Sequence, residues 1–210
     1  MAKSVQGNPW LSIWTQPRKT IRSIVDSDPK RGFILLCAIY GLPLAFNLTQ
    51  SFDFASVIPL WAILIGSLVA CPFLGMIGIT ISSWLLHFFG RMIGGKGTFP
   101  MVRAAVAWSN VPNFVTVCMW GILLGIFGAA VFSKNFSEMQ FVGYRAGILF
   151  LVMLIESIVS VWGFILLLST LREVQSFSIW RAILNVVLPF AVVVAVIWLA
   201  SWAFSGTASQ

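Results

Sequence analysis

Long apolar runs separated by short polar stretches set the pattern of this chain. The runs cover approximately residues 32–50, 58–89, 104–132, 145–170 and 182–204. Each reaches or exceeds the roughly 18 residues that a helix needs to cross a bilayer, and none is interrupted often enough by polar residues to face water on one side. The pattern predicts an all-α, polytopic membrane protein with five transmembrane helices. At about 1.5 Å per residue the second run outreaches a hydrocarbon core of roughly 30 Å, so it must tilt, project or break near Pro72, Gly75 and Gly78. Asp28-Pro29 reads as an N-cap followed by proline at the first helical position, which starts the first span there.

Residues 1–31 are too polar to span. They alternate Trp10, Ile13, Trp14, Ile21, Ile24 and Val25 with basic residues, which gives two short amphipathic helices broken near Pro17. The apolar side of this interfacial segment is buried either in the headgroup layer or under the bundle. No small-residue cleavage site follows the first apolar run, so that run is expected to be retained as a span. The organisation is thus a cytoplasmic interfacial segment (1–31), a five-span membrane domain (32–204) and a short outer tail (205–210).

Composition sharpens this picture. Hydrophobic residues make up 59% of the 210 and charged residues 9%, against about 25% charged in a soluble domain. The net charge of +7 does not point to nucleic acid, because the basic residues are scattered between apolar runs instead of gathered on one face. Eleven of the thirteen lysines and arginines fall in the N-terminal segment, the 90–103 loop and the 171–181 loop. Only Lys134 and Arg145 fall on the opposite side. The positive-inside rule then places the N-terminus in the cytoplasm and the C-terminus outside.

An offset of 78 aligns Ile77 with Ile155, Ser82 with Ser160, Trp84 with Trp162, Phe99 with Phe177, Arg103 with Arg181 and Ala104 with Ala182. One deletion later, Pro112 meets Pro189. The chain therefore carries two same-direction helix-hairpin repeats, like the parallel repeats of some transporters.

Chemistry-bearing residues are few. Gly90 to Thr98 nearly spells a phosphate-binding loop, but Gly97 stands where serine or threonine should follow Lys96, and the loop joins two spans instead of a strand and a helix. His87 is the sole histidine, and Cys37, Cys71 and Cys118 lie inside apolar runs, so no metal spacing arises and no cofactor is expected. No nucleophile–base–acid set forms either, and an enzyme is not expected. What remains is an intramembrane polar set. Glu156 is the only acid deep in a span and must avoid lipid; Ser160 continues its face, and Asn110, Asn113, Asn185 and His87 are candidate partners on other spans. Arg91, Lys96, Arg103, Arg172 and Arg181 are expected at the cytoplasmic interface near lipid phosphates. Gly121 and Gly125 form a small-residue strip for close packing, within the bundle in preference to a homodimer.

The opening Asn8-Pro9-Trp10-Leu11-Ser12-Ile13-Trp14, Gln16-Pro17-Arg18-Lys19-Thr20-Ile21-Arg22, the Asp26-Ser27-Asp28-Pro29 junction, Arg103-Ala104-Ala105 with Pro112, and the stretch from Leu171 to Ala182 resemble the Yip family over nearly the whole chain. Members of that family, named for eukaryotic proteins that interact with Ypt/Rab GTPases, have five spans and a cytoplasmic N-terminus. The short tail, without an aspartate-leucine-tyrosine-glycine-proline signature, is more similar to the bacterial branch. The resemblance implies a non-enzymatic, membrane-organising or partner-binding protein of a bacterial cytoplasmic membrane, in contact with lipid and other membrane proteins. The polar residues around Glu156 leave a small transporter, channel or lipid-moving protein as the alternative.

Overall fold

The computed structural model describes residues 7–136, 139 and 141–207, and the regular elements among them are all helical. Lys3 and the end of the short tail, 208–210, lie outside the described residues. Two short helices open the fold, α1 (Pro9–Thr15) and α2 (Pro17–Ser27). The Asn8 side chain accepts from the Trp10 amide at 3.1 Å, and a proline takes the first position of each helix, where a missing N–H costs nothing. Asp28 does not begin the first span. Its backbone N–H closes α2 onto Ile24, and its carboxylate accepts from the Lys30 amide at 2.9 Å. A turn through Gly32 at φ +68, a left-handed conformation that suits glycine, then leads into α3 (Phe33–Ser51).

The long helices follow: α4 (Leu60–Met92), α5 (Phe99–Ser109), α6 (Asn113–Phe127), α7 (Tyr144–Gln175) and α8 (Ile179–Thr207). Four stretches, Phe33–Ser51, Leu60–Met92, Phe99–Phe132 and Tyr144–Gln175, are long and apolar enough to cross a membrane, and Ile179–Val192 of α8 forms a shorter apolar helix. The over-long second run does not break at Pro72, Gly75 or Gly78; α4 is continuous over 33 residues. The third run breaks instead. Asn110, Val111 and Pro112 separate α5 from α6, with short-range bonds from the Asn110 amide to Ala107 (3.2 Å) and from the Val111 amide to Trp108 (3.3 Å). Pro112 has no N–H to continue an α-helical ladder, so the chain turns more tightly there.

The closest crossing joins α3 to α4. A Cβ at Gly41 would run into the Cys71 carbonyl, and one at Gly75 would run into the backbone of Cys37, so each helix leans on the other where it lacks a side chain. Gly121 and Gly125, expected to provide such a crossing within the bundle, are exposed, and a Cβ at either would meet nothing within 4 Å. Among the described residues, nothing packs closely against the glycines on this face of α6.

The connectors near residues 28–33, 92–99 and 175–179 mark one end of the bundle, the basal end. There α2 lies against α5 and α7, and α1 packs on α2. Ile13, Ile21 and Ile24 are fully buried in a cluster with Val102, Trp108 and Leu171, and the Trp10 ring tilts against Trp108 at 5.2 Å. Arg18 Nη2 pairs with Glu173 Oε2 of α7 at 3.0 Å. The apolar side of the N-terminal segment is therefore covered by protein, while Lys19 and Arg22 remain exposed. At the distal end an aromatic cluster of Phe46, Trp120, Phe132 and Phe136 closes the bundle. Beside it Gln50 Nε2 donates to the Val131 carbonyl at 2.7 Å, and the Lys134 amide donates to Asp53 at 3.1 Å.

Candidate functional site

Helices α3, α6 and α7 meet around a cleft of about 220 Å³. The break at Pro112 starts α6 at Asn113, which turns Asn113 and Thr116 toward α7. Thr116 Oγ1 donates to Glu156 Oε2 at 3.4 Å, a long bond that leaves the carboxyl largely free. Ser160 lies one turn after Glu156 on the same lining, and α3 adds Tyr40, Pro43 and Asn47. Asn47 Nδ2 donates to the Pro43 carbonyl at 2.8 Å, and Asn113 Nδ2 donates to Asn110 Oδ1 at 3.3 Å. Asn110 stands behind the lining and donates from Nδ2 to the Val106 carbonyl at 2.7 Å. Ser160 is exposed in the middle of a 32-residue helix, so the cleft opens on the flank of the bundle and not at an end.

Two of the candidate partners lie elsewhere. Asn185 on α8 is fully buried, with neither side-chain polar atom hydrogen-bonded, and lines no part of the cleft. His87 sits toward the basal end of α4, its ring edge-on to Phe99 at 6.1 Å. The sequence carried no information on the depth at which these residues sit along their helices.

The basal end holds a second polar group. Gln175, the last residue of α7, is fully buried; its Nε2 donates to the Leu86 carbonyl at 3.2 Å, and its backbone carbonyl accepts from the Lys96 amide at 3.2 Å. A Cβ at Gly90 or Gly95 would collide with the Gln175 side chain, and one at Gly97 would crowd the Val174 carbonyl at 2.8 Å. The glycine-rich loop is thus a cradle for the end of α7, which explains its composition without a phosphate. The Arg103 guanidinium stands over the Phe33 ring at 4.7 Å and the Phe99 ring at 5.8 Å. Arg91, Lys96 and Arg181 are exposed, and Arg172 is half-buried.

Against this geometry, the family model of the Yip1 domain matches residues 11–200, nearly the whole chain. The chain belongs to the Yip1 domain family. It is accordingly an integral membrane protein, and the Yip1 match covers both the cleft and the basal platform. No curated protein and no solved structure matches the chain. Among the described residues of this Yip1 domain, no group of three or more His, Cys, Asp or Glu side chains could hold a metal ion. The thiols are separate: Cys37 and Cys71 are buried at the α3–α4 crossing, and Cys118 is exposed on α6.

Sequence reasoning missed Tyr40 and Asn47 at the cleft and Gln175 at the base. Asn47 carried a signal, since an asparagine inside an apolar helix can bond back to the carbonyl four residues earlier and keep its amide on the lining, as it does to Pro43. Gln175 also carried one, as a long polar side chain at a helix end facing a loop of three small glycines.

Proposed function

We propose that this Yip1 domain protein is a non-enzymatic membrane-organising and partner-binding protein of a bacterial cytoplasmic membrane. In this reading the chain crosses five times, with the basal end in the cytoplasm and the C-terminus outside. Eleven of thirteen basic residues support that orientation, and the 29-residue length of α8 supports a fifth crossing. The units α4–α5 and α7–α8 act as same-direction hairpins; Ala104 and Ala182 are both buried, although Pro112 sits in a helix break and Pro189 inside a continuous helix.

The observation that carries the reading is the closed basal platform. Fully buried Ile13, Ile21 and Ile24 are packed under α5 and α7, and this dry, interlocked layer presents an outward face with exposed Lys19, Arg22 and Trp180. A moving cargo path through this end would have to dismantle that packing. Photo-cross-linking residues at Lys19, Arg22 and Trp180 should give discrete adducts to another membrane protein in native membranes. The purified protein in liposomes should pass no more solute or lipid than empty vesicles.

A second reading rests on the Glu156 cleft, whose free carboxyl inside an apolar layer suits a small transporter or lipid-moving protein. Flux in proteoliposomes that Glu156→Gln abolishes, without discrete adducts at the base, would establish it over the first.

A further inference from the structure

The cleft between α3, α6 and α7 has a chemistry that no partner-binding role of the basal end uses. Its only acidic lining group is the Glu156 carboxyl, Tyr40 adds a neutral phenol, and no lysine, arginine or histidine lines it. A phosphate or carboxylate placed there would find no counter-charge in an apolar layer, so anionic groups are excluded. Asn47 and Asn113 each commit one amide proton to this chain, through the Pro43 carbonyl and Asn110 Oδ1, so their carbonyl oxygens and most of the Glu156 carboxyl accept while the Tyr40 and Ser160 hydroxyls add donors. Such a set is complemented by a neutral group that both donates and accepts, and in hydrocarbon a hydroxyl does so at low desolvation cost.

Size and position narrow the ligand further. A volume of about 220 Å³ is about seven times that of a liquid water molecule, and it is below the roughly 300 Å³ at which pockets begin to enclose whole ligands. It accepts a polar end and no more. Tyr40 to Asn47 spans seven residues of α3, about 10 Å along the helix, and the opening at Ser160 faces the flank, where the surrounding solvent is lipid. Exposed Leu48 and Phe114, each next in sequence to a lining asparagine, offer an apolar surface for chains that remain in the bilayer.

We propose that this cleft is a binding site for a phosphate-free, hydroxyl-bearing lipid of the diacylglycerol type, with its free hydroxyl donating to Glu156 and its acyl chains lying along the flank. The site goes beyond the partner-binding reading and can fail without affecting it.

The test uses the full-length protein in nanodiscs and two lipids with identical chains, dioctanoylglycerol and dioctanoyl phosphatidic acid. Dicyclohexylcarbodiimide is the probe. The carboxyl oxygen bonds to its central carbon, the proton passes to a nitrogen, and an acyl shift leaves a stable N-acylurea that peptide mass spectrometry locates. Glu156 should be modified, and dioctanoylglycerol should slow the modification at least fivefold, whereas the phosphatidic acid should not. Thr116→Val and Asn113→Leu should retain modification while weakening the protection at least threefold; two variants guard against a failure of either to fold. Equal protection by both lipids, or no modification of folded protein, would overturn the proposal. Protection seen in native membranes but absent in nanodiscs with dioctanoylglycerol would also overturn it, in favour of a polar side chain from a partner's helix.

Discussion

At the scale of the residue, the acid in the flank cleft and the amide at the base of the bundle have different tasks. Glu156 has a single long bond from Thr116 at 3.4 Å, so Thr116→Val should cost only about 0.6 kcal/mol, near the average for hydrogen bonds between membrane helices. Unfolding measured in a fixed detergent mixture checks this. Glu156→Gln keeps the hydrogen-bonding capacity and loses the exchangeable proton, so folding and partner cross-linking should both survive it under the leading reading. Gln175 is different because it is fully buried and fills the space left by Gly90 and Gly95. Gln175→Ala should open a cavity and remove the cross-helix bond to the Leu86 carbonyl, costing about 2–4 kcal/mol. Hydrogen exchange should then accelerate in residues 93–98. The sequence showed Glu156 because a lone acid in an apolar run is conspicuous. It hid Gln175 because polarity at a helix end is ordinary, and only the facing glycines reveal that the side chain is enclosed.

At the scale of the element, the helices were legible and their contacts were not. Apolar length alone located α3, α4 and α7 to within a few residues, and Pro17 placed the break between α1 and α2. Of the two prolines, Pro72 left tilt, projection or a break open and only the break at Pro112 was unforeseen: a helix tolerates proline when the freed carbonyl can be met or bent outward, as at Pro72, and breaks when neighbouring residues supply tight turn bonds, as at Pro112. Composition likewise fails to say which small-residue pair has a helix opposite it. Gly75→Leu should destabilise the fold by about 3 kcal/mol or more, because it drives a side chain into the Cys37 backbone. Gly125→Leu, which meets open space, should leave the monomer's stability unchanged and should lower any self-association seen by single-molecule photobleaching. The N-terminal helices make a graded case. Glu173→Gln removes the partly exposed pair with Arg18 and should cost less than about 1 kcal/mol, whereas Ile21→Ala removes buried apolar surface and should cost about 2–4 kcal/mol. Faster exchange across 17–27 in the second variant but not the first would show that packing holds the platform.

At the scale of the whole molecule, the account depends on a bundle that places its basic platform on the cytoplasmic side and crosses the membrane an odd number of times. Hydropathy and the distribution of lysine and arginine are what support that proposal, since both report on the surrounding solvent and neither needs tertiary detail. The cleft was only half legible, because bringing Tyr40 and Asn47 to Glu156 depends on how α3 crosses the bundle. The most direct test is thiol accessibility in intact cells, with single cysteines at Lys96, Lys134 and Ser205 in a chain whose Cys37, Cys71 and Cys118 are replaced by alanine. Cysteines at 134 and 205 should react with an impermeant maleimide added outside, and the one at 96 should react only after the cells are opened. Reaction at 96 from outside would reverse the orientation, and protection at 205 together with reaction at 134 would reduce the five crossings to an even number.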